Sequence, residues 1–130
     1  MPNRTTLTIA NGESTPVDVP FVPKSGANNV STFVATDGVP VGDRILTVSS
    51  THGNREKASI RFKLPVTVTE TVNGVSNSVV ARTAYVRMDF DFAGNSTLEE
   101  REDAVAFAAN ILDPSQTAIM SILKDLHDFY

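Results

Sequence analysis

The chain has 130 residues, 41% hydrophobic and 20% charged, no cysteine and a formal charge of −4. This length supports one hydrophobic core and argues against a multidomain enzyme, and the absence of cysteine excludes disulfides, thiolate metal sites and cysteine nucleophiles. No apolar run approaches the roughly 18 to 20 residues that span a bilayer, so no membrane partner is expected. The start, Met1 to Thr6, lacks a secretory core and reads as mature chain. A negative total argues against nucleic-acid binding, but the charge is uneven. Residues 98 to 130 carry seven acids against two bases, a net of −5, which leaves +1 for residues 1 to 97.

In chain order, Thr6 to Ala10 alternates polar and apolar residues, Asn11-Gly12 is a type I′ turn signal, and Thr15 to Val19 resumes the alternation. An N-terminal hairpin over residues 6–20 is predicted, with Pro16 and Pro20 at strand edges or ends. Phe21 to Asn29 reads as a loop, Val30 to Ala35 as a strand, and Asp37-Gly38 through Asp43 as a turn. Arg44 to Ser50 is the next strand, with Leu46 and Val48 toward the core and Ile45, Thr47 and Ser49 on the other side. A polar connection at Ser50 to Glu56 leads into a long strand from Lys57, whose mid-strand Pro65 needs a bulge or an edge. Val72 to Ser78 is a protruding turn, and Val79 to Phe92 is the return strand.

After Asn95 the period changes. Ser96-Thr97-Leu98-Glu99 fits a capping box with Ser96 as cap, and Asp113-Pro114-Ser115-Gln116 fits a second helix start with Asp113 as cap and Pro114 at the first helical position. Two short helices are predicted over residues 96–126. Strands first and helices last give an α+β fold: an antiparallel sheet over residues 30–92, with helices covering one side. The apolar surface of both helices exceeds what one small sheet can cover, which predicts dimerisation.

The two long strands keep two chemistries apart. Odd positions hold Lys57, Ser59, Arg61, Lys63, Thr83, Tyr85, Arg87 and Asp89, whereas even ones hold Ala58, Ile60, Phe62, Leu64, Ala84, Val86, Met88 and Phe90. This is the period-2 signature of half-buried strands. Lys57, Arg61, Lys63 and Arg87 with Tyr85 among them suit phosphate contacts and the stacking of an unpaired base; Thr47, Ser49 and Ser59 add hydroxyls able to bond base edges. The alternative is an exposed surface charged for solubility. No phosphate loop, metal-spaced cluster or nucleophile elbow is present. His52, His127, Asp89 and Asp91 remain as weak enzyme alternatives, and the acids from Glu99 to Asp103 read as solvated helix-start carboxylates. No cofactor is expected.

The ordered set Asn28-Asn29-Val30, Asn54-Arg55-Glu56-Lys57, Thr71-Val72-Asn73-Gly74-Val75, Val79 to Phe90, Ser96-Thr97-Leu98-Glu99-Glu100-Arg101 and the terminal Tyr130 resembles the coat protein of small single-stranded RNA bacteriophages, the leviviruses. The resemblance covers essentially the whole chain and is strongest from Arg55 to Arg101. It implies one coat-protein domain over residues 1–130, with an N-terminal hairpin, a five-stranded antiparallel sheet and two C-terminal helices. Two subunits would interlock their helices over a continuous ten-stranded sheet, and dimers would build an icosahedral shell.

By resemblance the sheet lines the particle interior, packages genomic RNA and binds an RNA hairpin at the replicase start, making the protein a translational repressor. The implied RNA-binding positions are Lys57, Ser59, Arg61, Lys63, Tyr85 and Arg87. Thr47 and Ser49, with Val30, match a pocket for an unpaired adenine, given a Ser50 to Glu56 connection two residues shorter than in the best-known members. The family's best-known hairpin binders have asparagine where Arg87 stands and glutamate where Lys63 stands, so this surface is more basic. Thr71, Val72, Asn73, Gly74, Val75, Ser76, Asn77 and Ser78 match the loop that meets its copies around symmetry axes. The implied location is the virion, assembled in the bacterial host cytoplasm. From the residues alone, the alternative function is a non-viral dimeric sheet-based RNA-binding or interaction domain.

Overall fold

The computed structural model describes residues 4–13, 15–36, 38 and 40–129. The sequence readings at Met1 to Asn3, Asp37 and Tyr130 lie outside the described residues. Six strands form one sheet in the order β1 to β6: β1 (Leu7–Ala10), β2 (Asp18–Ala27), β3 (Val30–Ala35), β4 (Arg44–Thr51), β5 (Arg55–Val72) and β6 (Val75–Ala93). Two helices follow, α1 (Leu98–Ile111) and α2 (Thr117–Lys124). The fold is therefore the expected one: a five-stranded antiparallel sheet, β2 to β6, extended by an N-terminal hairpin strand and followed by two helices. The chain divides into two compact units, Met1–Asp91 and Phe92–Tyr130.

In the first unit the core is made by residues whose alternation places them on one side of the sheet. Phe21, Phe33, Ala35 and Leu46 are buried, with Ile9, Val19, Val48, Ile60 and Phe62 packed against them. The antiparallel register explains the selection, because Phe33 lies opposite Leu46 and Leu46 opposite Phe62, and directly opposed residues share a side. Phe21 closes the cluster edge-on to Phe62, with ring centroids 5.9 Å apart. Full burial of each such side chain contributes about 1.5–3 kcal/mol.

The predicted loop from Phe21 to Asn29 is mostly strand. β2 runs on to Ala27, and its two halves serve different neighbours: Asp18–Phe21 pair with β1 and Val22–Ala27 with β3. Each half thus has one paired side, which is how Pro20 and Pro23 are accommodated without an N–H to donate. The register slips between Pro23 and Ser25, leaving Lys24 as the extra residue of a bulge. Asn28 and Asn29, both left-handed with φ of 52° and 65°, form the two-residue turn into β3. Asparagine tolerates that conformation better than most residues.

Asn11-Gly12, by contrast, is not a type I′ turn. Ala10 pairs with Asp18, so the connection is longer, and the Asn11 side chain organises it by accepting from the N–H groups of Glu13 and Val17. The turn predicted across Val72 to Ser78 is also tighter than expected. Asn73 and Gly74, with φ of 52° and 78°, reverse the chain, and Val75 to Ser78 already belong to β6. In β5 the half-buried positions are Ala58, Ile60, Phe62 and Leu64, then Pro65 and Thr67. The alternation slips by one at Pro65, as an inserted residue would cause.

In the second unit, α1 starts one residue later than the predicted box. Thr97, not Ser96, is the cap: its hydroxyl accepts from the Glu100 N–H and the Glu100 carboxylate accepts from the Thr97 N–H. Ser96 is engaged by Arg101 through both its carbonyl and its hydroxyl. Asp113 caps a turn instead of α2, because its carboxylate accepts from the Ser115 N–H and its carbonyl from that of Gln116. Helix α2 begins only at Thr117. No residue of either helix is buried.

Candidate nucleic-acid interface

The surface opposite the core is laid out in transverse rows. The register places Val30 opposite Ser49 and Ser49 opposite Ser59; in the next row Thr32 lies opposite Thr47 and Thr47 opposite Arg61. Lys63 pairs with Ile45 and Lys57 with Thr51. The sheet therefore brings together Val30, Thr47, Ser49, Ser59 and Arg61 on three adjacent strands, although they span 32 positions of sequence. The expectation that they share one side follows from the even phase of β3 and the odd phases of β4 and β5.

β6 joins this surface through side chains. The Ser59 hydroxyl donates to Asp89 Oδ1 at 2.6 Å, and Arg55 Nε donates to Asp91 Oδ1 at 2.6 Å. Two residues before Asp89, the Arg87 guanidinium lies 5.9 Å from the centre of the Tyr85 ring, at the outer reach of a cation–π contact. Tyr85 is 62% exposed, so its ring is available for stacking. Lys57, Arg61, Lys63 and Arg87 are exposed, whereas Thr47, Ser49 and Ser59 are half-buried between strands. Long cations thus rise above a floor of short hydroxyls: the cations can reach phosphates and the floor can meet a base edge.

Three features of this surface escaped the sequence reading. Thr32 belongs to the Thr47–Arg61 row, hidden because β3 is short and its other inward partners are apolar. Asp89 and Asp91 mark an acidic end of the surface; their odd spacing with Tyr85 and Arg87 was the available signal. Arg55, one position outside the predicted strand, neutralises Asp91. Elsewhere, His52 Nδ1 contacts Glu56 in the β4–β5 connection and the Ser121 hydroxyl meets His127 Nδ1 at 2.9 Å. Neither histidine is joined to a wider set of titratable groups. Among the described residues no cluster of potential metal ligands occurs.

A family model for the levivirus coat protein matches residues 2–130. The chain belongs to the levivirus coat protein family. This coat protein is 35% identical over 126 residues to the capsid protein of Pseudomonas phage PRR1, covering 95% of the chain and 96% of that relative. Its fold is that of the virus-like particle of bacteriophage ESE058, with a TM-score of 0.87, 20% identity and coverage of 99% and 100% of the two chains. The bacteriophage structure described as an unassembled coat protein dimer and RNA-binding dimer aligns with a TM-score of 0.59, 17% identity and 98% coverage of each chain. The coat protein is thus a structural capsid component, and family membership replaces the non-viral alternative.

Proposed function

We propose that this coat protein assembles as dimers into an icosahedral shell, packages single-stranded genomic RNA against the sheet surface bearing Arg61 and Tyr85, and represses translation by binding an RNA hairpin at the replicase start. The observation that carries the RNA reading is the pair of rows from Val30 to Ser59 and from Thr32 to Arg61. They set hydroxyls, a small apolar contact and cations at the spacing of adjacent strands, with an exposed aromatic ring on β6. Arg61, Lys57, Lys63 and Arg87 serve phosphates, Tyr85 stacks on a base, and Thr47, Ser49 and Ser59 meet base edges beside Val30. The RNA-binding dimer among the structural relatives supports the same use of the fold.

Dimerisation rests on two unpartnered surfaces. β6 is a 19-residue strand at the end of the sheet order, and a long open edge invites pairing with a second copy, giving ten strands from two sets of β2 to β6. The helical unit exposes Phe107, Leu126 and Phe129 at 71–83%, which interlocked helices of two subunits would cover. Residues 1–130 then act as one coat-protein domain. The β5–β6 tip, Thr71 to Ser78, with Val72 and Val75 exposed, meets neighbouring dimers around symmetry axes, and assembly takes place in the host cytoplasm before the protein enters the virion.

Electron microscopy of the expressed protein, together with nuclease treatment, tests the assembly: particles holding nuclease-protected RNA are expected, and soluble dimers alone in the presence of RNA would overturn it. For the hairpin role, Arg61→Ala and Tyr85→Ala should each weaken binding by about 1–3 kcal/mol at fixed salt while dimers persist. Unchanged affinity in both variants removes these residues from the site.

A further inference from the structure

The first transverse row does not end at Ser59. It continues onto a fourth strand, where the Ser59 hydroxyl donates to Asp89 Oδ1, so the row runs from apolar Val30 through Ser49 and Ser59 to a carboxylate. Among the described residues Asp89 has no cation within salt-bridge distance, whereas the neighbouring Asp91 is neutralised by Arg55. A bare carboxylate on a surface otherwise built for phosphates weakens general RNA affinity, since each anion opposes the charge attraction that dominates such binding. The arrangement also fixes hydrogen-bond polarity. With its proton committed to Asp89, the Ser59 hydroxyl presents lone pairs, and Asp89 keeps Oδ2 as a second acceptor. The middle of the surface therefore offers acceptors beside donors contributed by the surrounding cations.

We propose that Asp89, oriented by Ser59, is a specificity-determining residue of the RNA site: it accepts from the exocyclic amine of an unpaired base and so selects an amino-bearing base over uracil at one position of the bound hairpin. The inference rests on the RNA-binding reading of this surface. A carboxylate is the side chain suited to an amine edge, and a well-placed base contact discriminates by about 1–3 kcal/mol, roughly tenfold or more in affinity. Against uracil, whose O4 carbonyl stands where cytosine carries its amine, Asp89 faces lone pairs with lone pairs. Asp89 acts as a filter, trading general affinity for base choice, and Ser59 is its positioning residue.

The test uses the intact dimer and a pool of RNA hairpins with randomised loops, selected at fixed salt, followed by direct affinities for enriched hairpins and their single cytosine-to-uracil or adenine-to-uracil variants. The wild-type protein is expected to enrich an amino-bearing base at one loop position and to lose about tenfold or more when that base becomes uracil. Asp89→Asn, nearly isosteric and at an exposed position, should remain dimeric, bind all hairpins somewhat more tightly and lose most of that discrimination. Ser59→Ala should reduce the discrimination without the uniform gain. If Asp89→Asn tightens every hairpin equally and leaves base preference intact, Asp89 is a background charge and the proposal fails while RNA binding stands. If the wild-type protein enriches no hairpin and Arg61→Ala changes nothing, the RNA reading fails and takes this proposal with it.

Discussion

The two units of the chain are built on opposite terms. Met1–Asp91 contains its own core, in which Leu46 and Phe21 are 2–3% exposed, and its polar side is ordered by the same strand register that fills the core. Phe92–Tyr130 buries no residue of either helix, yet carries some of the largest exposed apolar side chains of the chain. An amphipathic helix gains most of its stability from the surface on which its apolar side packs, so the first unit has its partner surfaces within one chain and the second finds them in a second copy. Association is then a condition of folding for the helices and not an addition to it.

The sharpest way to break this contrast is a charge on the helical surface. Phe107→Asp should abolish dimers and particles, leaving monomers or aggregates in sedimentation and light-scattering measurements, because a carboxylate cannot be buried there without a partner. Dimers that persist with Phe107→Asp would show that this side chain stays in solvent. A core truncation acts differently. Phe33→Ala should cost about 3–5 kcal/mol through lost burial and an unfilled cavity, read as a lower urea midpoint at matched protein concentration, with any loss of dimers following from unfolding.

Leu126 offers a finer test, since it is left-handed, with φ of 58°, and 83% exposed. A non-glycine residue in that conformation costs roughly 1–2 kcal/mol, and a leucine is a poor choice there unless its side chain is used. If the side chain is covered by the second copy, Leu126→Gly should relieve the strain yet weaken the dimer, lowering stability most at low protein concentration. A concentration-independent gain in stability would instead place Leu126 outside the interface. Smaller still is the cap of α1: Thr97→Ala should cost about 1 kcal/mol, whereas Ser96→Ala removes only the Arg101 contact and should cost less. Reversal of that order in thermal melts would return the cap to Ser96.

The sequence made the core side and the cationic side legible because both obey one period. Once Leu46 and Val48 were placed inward, the odd positions of β4 and β5 had to share the other surface, and the register bears this out for Thr47, Ser49, Ser59 and Arg61. What was not legible depended on backbone conformations that several residue types satisfy. Asn28-Asn29 forms the left-handed turn that Asn11-Gly12 was expected to form, and the choice follows from where the flanking strands pair. Pro20 and Pro23 obscured β2 because its change of partner at Phe21–Val22 cannot be read from local composition. The hydroxyl that links Ser59 to Asp89 was invisible for a related reason: it depends on the alignment of β5 with β6, beyond the slip at Pro65.

The same limit governs the Asp113 turn, where a sequence that fits a helix cap serves a connection instead. Hydrogen bonds from the Ser115 backbone and then its side chain hold the Asp113 carboxyl below its ordinary value of 3.8. A carboxyl lowered in the folded state binds its proton less readily than in the unfolded chain, so its stabilising contribution is present above about pH 3.8 and is lost as the pH falls through the lowered value. Asp113→Asn should therefore remove a small part of the acid sensitivity of unfolding and leave stability near neutral pH almost unchanged. The effect is expected to be the smallest of the set because Asp113 is fully exposed, and a pH titration of the urea midpoint for the two proteins measures it. A variant curve parallel to the wild-type one across the acid range would mean that the Ser115 contacts hold the turn equally well with a neutral amide, making the connection a matter of backbone geometry and not of charge.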